Sequence, residues 1–429
     1  MTDKKILVLS TYPIAGEALH GGQKRAKAMV EHYRNTFGEA KYIAIFHKKF
    51  TDEYGPEDIP IEDPKIIDAM DNAALASDLM SGEAIYKDAS VKRKLKKAIA
   101  EYRPDVIQVE QIYPFAGIMP LLQEMSFKPK ILVLSSQNDE TRLKKDIFSG
   151  IDMPEQEKQA FIRKISSLEK RASRECDLVV AVNDSDARWH KKLGAKKCIV
   201  IPNGISKITP TPAALRHWKK FKKEHGIDSL ATFVGSAHPP NLFGFKNMIG
   251  TDLSFLPKRS GIALAGGVSH YIQGDYGIDA PWAKKFWKRA WPLGKLSDDN
   301  LAGLIQESDV MLLPIVSGVG SNLKTAEAIL ADKKIVATRL AFRTFEKYDS
   351  LPNIWFADNI EDFKKAVMVA MRSKKMQRSE EESTLAGKVQ WQYGLEPLSR
   401  TLEIMVDGFL RTALRRLRHQ MGALKRHLF

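Results

Sequence analysis

Short apolar, β-branched runs recur through the first half of the chain as KILVLS, KYIAIF, DVIQVE, KILVLSS, DLVVAV and CIVIP, with charged segments of helical period between them. Strands alternating with helices in this way predict βαβ units and a parallel sheet. After Ile205 the pattern gives way to the Pro/Thr/Lys-rich stretch KITPTPAALRHWKKFKKEHG, and a second series follows as ATFVGS, GIALAGG, DVMLLPI, KIVATR and NIWFAD. A series that restarts after a linker predicts two α/β domains, over residues 1–204 and 205–385, with 386–429 as a helical extension. In that extension the chain reads as helix from Leu395, and Leu410, Leu414, Leu417, Met421, Leu424 and Leu428 form one apolar stripe at alternating four- and three-residue steps.

Composition narrows this picture. A chain of 429 residues is long enough for two domains that each bury a core. The 67 Lys and Arg residues outnumber the 52 acids, and the net charge of +15 favours anionic partners: nucleotides, nucleic acid or acidic lipid. Cys176 and Cys198 each open an apolar run, where a small buried hydrophobe accounts for them better than a metal site or a disulfide. The apolar run Ile6 to Leu9 is too short for a signal-peptide core and reads as a first strand. No apolar stretch approaches the ~18 residues that would span a bilayer, so a cytoplasmic protein is expected, with any membrane contact peripheral and on the inner face.

The tail is the candidate for that contact. Its stripe is accompanied by Arg411, Arg415, Arg416, Arg418, Lys425 and Arg426 with no acid after Asp407, which gives residues 408–429 the character of a basic amphipathic helix. Packing of the stripe on the protein or on a second subunit is the alternative. Three further basic runs, KRKLKK at 92–97, RHWKKFKK at 216–223 and KKFWKR at 284–289, read first as solvated helix faces, and the Trp and Phe in the last two suit a membrane interface better than nucleic acid.

Candidate chemistry concentrates in GVGSNLKTAEAILADKKIVAT, residues 318–338, between the strands DVMLLPI and KIVAT. A Gly-rich turn entering a helix offers unpaired N–H groups and a helix dipole to an anion, here around Ser321 to Leu323, with Gly318 and Gly320 permitting close backbone approach. Lys324 adds positive charge, and Glu327 falls one turn later, where a carboxylate can accept from vicinal ribose hydroxyls.

The string as a whole resembles the donor-binding segment of retaining GT-B glycosyltransferases, glycosyltransferase family 4, with Gly318, Gly320, Lys324, Glu327, Ala328, Val336 and Thr338 on the matching positions. Other stretches resemble the same family in the expected order: HGGQKR at 20–25, SSQNDET at 135–141, PNGI at 202–205, FVGSAHPPN at 233–241 and WPLGKLSDDNLAGLIQESDVMLLPI at 291–315. The resemblance implies an α/β GT-B fold, two facing Rossmann-like domains with the donor held mainly by the second. It implies a nucleoside-diphosphate sugar as donor, a glycan or lipid-linked hydroxyl acceptor, retention of configuration, and a role in cell-surface polysaccharide or lipid-linked glycan assembly. Neither a cofactor nor a metal is expected, and no nucleic-acid partner.

Roles carried over by the resemblance fall on Glu327 and Lys324 as catalytic residues. Gly21, Gly22, Gly235, Ser236, Gly320, Ser321 and Asn322 accompany them in donor binding, and His20, Glu110, Asn138 and Glu140 are the acceptor-side candidates. Two departures stand out: Val319 occupies the place of the first of two glutamates separated by seven residues, and Gln137 the place of a histidine. The Arg and Lys that many members carry after the donor domain's first strand are missing from Gly235 to Asn241, with Lys246 the nearest substitute. A sugar-nucleotide epimerase of the same fold, or a non-catalytic scaffold binding nucleotide or an anionic surface, are the competing readings.

Overall fold

The computed structural model describes residues 4–16, 21–72, 76–149, 153–318, 322–374 and 376–427, with side chains throughout except at Phe50, Asn72, Pro239 and 410–427. The chain forms two compact units: residues 1–202 with 395–429, and residues 203–394.

The first unit is built on a seven-stranded sheet with strands β1 (Lys4–Ser10), β2 (Gly38–Phe46), β3 (Ile59–Pro60), β4 (Val106–Glu110), β5 (Ile131–Ser135), β6 (Leu178–Ala181) and β7 (Cys198–Val200), in the order β3-β2-β1-β4-β5-β6-β7. Every pairing is parallel. β4, β5 and β6 are buried at every position, which is why they read as continuous apolar runs rather than alternating ones. The second unit carries β8 (Ser229–Val234), β9 (Ser260–Ala265), β10 (Ala290–Gly294), β11 (Val310–Leu313), β12 (Lys334–Ala337) and β13 (Ile354–Phe356), again all parallel, in the order β10-β9-β8-β11-β12-β13. Both orders reverse direction once, between β1 and β4 and between β8 and β11, and ligands of doubly wound sheets gather beyond the carboxyl ends of the strands at such reversals.

The eleven runs named from sequence all appear as strands; β3 and β10 were not anticipated. β3 is two residues long and includes Pro60. β10 holds Pro292 with a register shift before Gly294, which an edge strand tolerates because one side of its backbone needs no partner. Cys176 is buried and Cys198 half-buried, both as free thiols.

The C-terminal segment differs from a separate extension. One helix runs from Trp391 to His427, and from Leu395 it groups with the first unit. Leu395, Leu398, Leu402 and Val406 are buried along one stripe, and Lys4 pairs with Asp407 at 3.1 Å. The helix begins where Trp391 N donates to Ile205 O, and Gly204 is packed so closely that a Cβ would lie 2.8 Å from Trp391 N. The side chains of the stripe from Leu410 onward lie outside the described residues. Among the described residues no helix is long and apolar enough to cross a membrane.

Candidate functional site

In the second unit the reversal lies between β8 and β11, and the sequence crowds it with glycine. β8 ends at Val234, and a Cβ on Gly235 would lie 2.7 Å from the Val268 side chain. Gly266 holds φ +88°, and a Cβ there would meet Gly235 O at 2.2 Å; at Gly267 it would meet Ala237 N at 2.9 Å. The ends of β8 and β9 therefore approach as only glycine allows. Gly266 and Gly267 closed the run GIALAGG in the sequence, and their part in shaping this turn became visible only with the neighbouring strand in place.

Asn241, buried, ties the turn to the helix that follows β11. Its Nδ2 donates to Ser236 O at 2.9 Å and to Ser236 Oγ at 3.3 Å, and its Oδ1 accepts from Lys324 Nζ at 2.5 Å. Lys324 is the second residue of the helix Leu323–Leu330, and Asn322 stands at its N-cap with Nδ2 donating to Thr325 Oγ1 at 3.2 Å. Burial lowers the Lys324 ammonium to about 8; Glu327 opposes the shift and Arg343 adds to it. Burial also lowers His238, with Lys324 contributing, and lowers Arg343. Arg343 follows a short 3-10 turn at Arg339–Phe342, donates Nη1 to Leu340 O at 2.9 Å, and would stand 3.5 Å from a Cβ on Gly318, whose φ is +112°.

Lys324 and Arg343 thus bring positive charge to one turn-and-helix corner, with the His238 ring, held toward its neutral form, beside Lys324. Sequence reasoning found Lys324 but missed Arg343, which no motif marks. Lys246, the expected substitute, instead pairs with Asp275 at 2.8 Å. Val319, Gly320 and Ser321 lie outside the described residues.

In the first unit the reversal lies between β1 and β4. Gly21 and Gly22 open the helix Gly21–Phe37, whose entry is fixed by Gln23 Nε2 donating to Pro13 O at 2.7 Å; His20 lies outside the described residues. Arg25, buried on the same helix, donates to Ile201 O at 2.9 Å. Glu110 ends β4 with no exposure. Its Oε1 accepts from Gln108 Nε2 at 2.5 Å and its Oε2 from Gln137 Nε2 at 3.2 Å, while the same Gln137 amide donates to Tyr12 Oη at 2.6 Å. Burial raises the Glu110 carboxyl against the pull of Arg25.

Beside it Glu140, 1% exposed, accepts from Tyr113 Oη at 2.9 Å and Asn138 Nδ2 at 3.4 Å, and burial raises it to about 7. Its own N–H donates to Glu169 Oε1 at 2.9 Å, so Glu169 caps the helix Glu140–Ser149 from outside. The turn between is held by His190, whose two ring nitrogens lie 2.8 Å from Ser136 Oγ and Ser173 Oγ, and burial lowers that ring to about 4. Glu110, Asn138 and Glu140 therefore lie at and just beyond the carboxyl ends of the central strands β4 and β5, with both carboxyls accepting from amide donors and Glu140 also from the Tyr113 hydroxyl.

Among the described residues no group of His, Cys, Asp and Glu could hold a metal ion. The basic runs are partly offset by acids: Lys92 and Lys96 face Glu124, and Lys222 pairs with Asp309 at 3.1 Å.

Residues 75–207 match the profile of Glycosyltransferase Family 4. No curated protein matches the chain in sequence. Among solved structures, the sucrose-phosphate synthase of Thermosynechococcus elongatus is similar over 98% of this chain and 100% of its own, at 12% identity and a TM-score of 0.56. HepE of Anabaena in complex with UDP-glucose is similar over 93% and 99%, at 14% identity and 0.55. A trehalose-phosphate synthase of Burkholderia xenovorans in complex with glucose-6-phosphate is similar over 93% and 100%, at 11% identity and 0.61. At such identities the structural likeness shows the fold alone, and the family match covers residues 75–207. Residues 75–207 are thus similar to glycosyltransferase family 4, and the chain, with two parallel-sheet Rossmann-like units, has the fold of GT-B glycosyltransferases.

Proposed function

We propose that this protein transfers a sugar from a nucleoside-diphosphate donor to a hydroxyl of a glycan or lipid-linked acceptor, with retention of configuration. The observation that carries this reading is the convergence of the Lys324 and Arg343 cations beside the first turn of the helix Leu323–Leu330, where burial disfavours both charges and an anion would stabilise them, with His238 next to Lys324. A diphosphate leaving group supplies that anion. Lys324 and the helix-terminal N–H groups stabilise the charge that grows on it as the bond to sugar C1 breaks. Glu327 takes the ribose hydroxyls. Several similar structures hold UDP or UDP-glucose, which makes a uridine diphosphate sugar the first donor to try.

In the first unit, Asn138 with Glu110 and Glu140 behind it belongs to the acceptor side, and the leaving phosphate itself takes the acceptor proton, so no separate base is required. Residues 408–429 bring the protein to an anionic membrane surface on the cytoplasmic face, where a lipid-linked acceptor would reside; binding to anionic vesicles measures this.

The test is a panel of UDP-, GDP- and dTDP-sugars with lipid extract as acceptor source, reading nucleoside diphosphate release by wild type and by Glu327→Ala. Release by wild type, reduced at least about tenfold in the variant as expected for a lost charged hydrogen bond, supports the reading. No release from any donor refutes it, and an inverted anomeric centre in the product refutes retention.

A further inference from the structure

The first unit carries a cavity of about 590 Å³, lined by residues other than those of the Tyr12–Glu110–Gln137 cluster. Lys5 and Leu7 reach it from one face of β1, and Glu39, Lys41 and Ile43 from the same face of β2. The helix Ala89–Tyr102 adds Lys94, Ala98, Glu101 and Tyr102, which share one helical face by their spacing. The segment Pro56–Ile59 closes the side, pinned by Asp58, whose carboxylate accepts from Ala44 N at 2.7 Å and Gly55 N at 2.8 Å. Along β1 the cavity is set back from Tyr12: Lys5 stands seven residues before it, roughly 20 Å, and Ile43, paired with Leu9, about 10 Å.

Its chemistry is mixed in a regular way. Aliphatic groups of Pro56 and Ala98 line it over the nearly buried Leu7 and Ile43, and its rim carries charges of both signs. Lys5 lies 3.9 Å from Glu39 and Lys41 2.5 Å from Glu57, while the Lys5 and Lys41 ammoniums stand 5.4 and 5.2 Å from the centre of the Tyr102 ring. An anion entering here meets Glu39, Glu57 and Glu101; a cation meets Lys5, Lys41 and Lys94. A neutral polyol meets neither penalty: its hydroxyls donate to carboxylates and accept from ammoniums already ordered by their pairing, and its C–H faces cover the aliphatic floor. The volume falls within the range of small-ligand sites, roughly 300–1,000 Å³.

We propose that this cavity is a saccharide-binding site separate from the transfer site, taking a short neutral oligosaccharide. The inference rests on this cavity alone and not on the donor-site reading. It is tested by calorimetric titration of the full chain with neutral β-1,4-glucan, α-1,4-glucan and mannan tetrasaccharides, a tetra-uronate as charged control, and UDP in parallel. The double variant Lys41→Met, Glu101→Gln changes two rim side chains that are 37% and 67% exposed, so an unchanged melting temperature is expected.

The expected result is binding of at least one neutral tetrasaccharide, weakened about fivefold or more in the variant as each hydrogen bond is worth about 1 kcal/mol, with UDP binding unaltered. Absence of binding by every neutral tetrasaccharide, equal binding by the variant, or stronger binding of the tetra-uronate overturns the proposal. Saccharide binding without UDP binding leaves it standing and removes the donor-site reading instead.

Discussion

If Lys324 receives a diphosphate, donor affinity must depend on pH in a way the structure specifies. Burial holds the free ammonium at about 8, so about nine-tenths of it is protonated at pH 7 and about a tenth at pH 9. A bound diphosphate beside the amine restores the charged form, and complex formation above pH 8 must then take up a proton. The same linkage sets the magnitude: UDP affinity falls about tenfold between pH 7 and pH 9, about 1.4 kcal/mol, with uptake of about 0.9 proton at pH 9. Calorimetry in two buffers of different ionisation enthalpy reads both quantities. Lys324→Met removes the charged hydrogen bond, worth about 1.5–3 kcal/mol, and flattens the pH dependence. Ionisation of the nucleotide itself cancels in the difference between wild type and variant. Parallel pH profiles for the two proteins, or no excess proton uptake by wild type, would refute the placement of Lys324 against the diphosphate.

Two further outcomes follow from the first unit. Glu140 is raised from 4.5 to about 7 by burial, so its protonated form favours the fold; that contribution is full below pH 4.5 and lost as pH rises through 7, about 3 kcal/mol in all. Denaturant melts at pH 5 and pH 8 should show Glu140→Gln gaining most of that difference over wild type, and equal pH dependence in both would show that Glu140 titrates normally. Removal of residues 408–429 leaves the buried stripe Leu395–Val406 in place and should abolish sedimentation with anionic vesicles, while neutral vesicles bind neither form; unchanged sedimentation would exclude the tail as the anchor.

The strands were legible because a parallel sheet covered on both faces demands uninterrupted β-branched runs, and a run such as DLVVAV has few other uses. β3 and β10 were hidden for the complementary reason. They are edge strands, Ile59–Pro60 and Ala290–Gly294, where a proline costs no ladder bond, so the local sequence carries no strand signature. The fate of the C-terminal helix was half legible. Its helicity shows in the spacing of Leu395, Leu398 and Leu402, but which unit receives that stripe depends on a surface more than 300 residues earlier in the chain, as the Lys4–Asp407 pair shows.

The two candidate regions divide by the same rule and differ in kind. Lys324 could be found because a strand, a glycine turn and a helix N-terminus are consecutive in sequence, whereas its partner Asn241 is 83 residues away and Arg343 belongs to a turn with no motif. In the first unit a signal was present and went unread: Gln108 and Glu110, two apart in VIQVE, place amide and carboxyl on one face of an otherwise apolar strand, which only a buried polar network accommodates. The result is a contrast in charge. The corner after β8 and β11 holds cations that burial has weakened, and a doubly charged ligand relieves them. The corner after β4 and β5 holds carboxyls that burial has raised toward the neutral form, with Gln137 where a titratable imidazole would otherwise stand. A site of amides and raised carboxyls gains nothing from an anion and matches hydroxyls. Under the proposed function, the first of these corners would receive the charged donor and the second the uncharged acceptor.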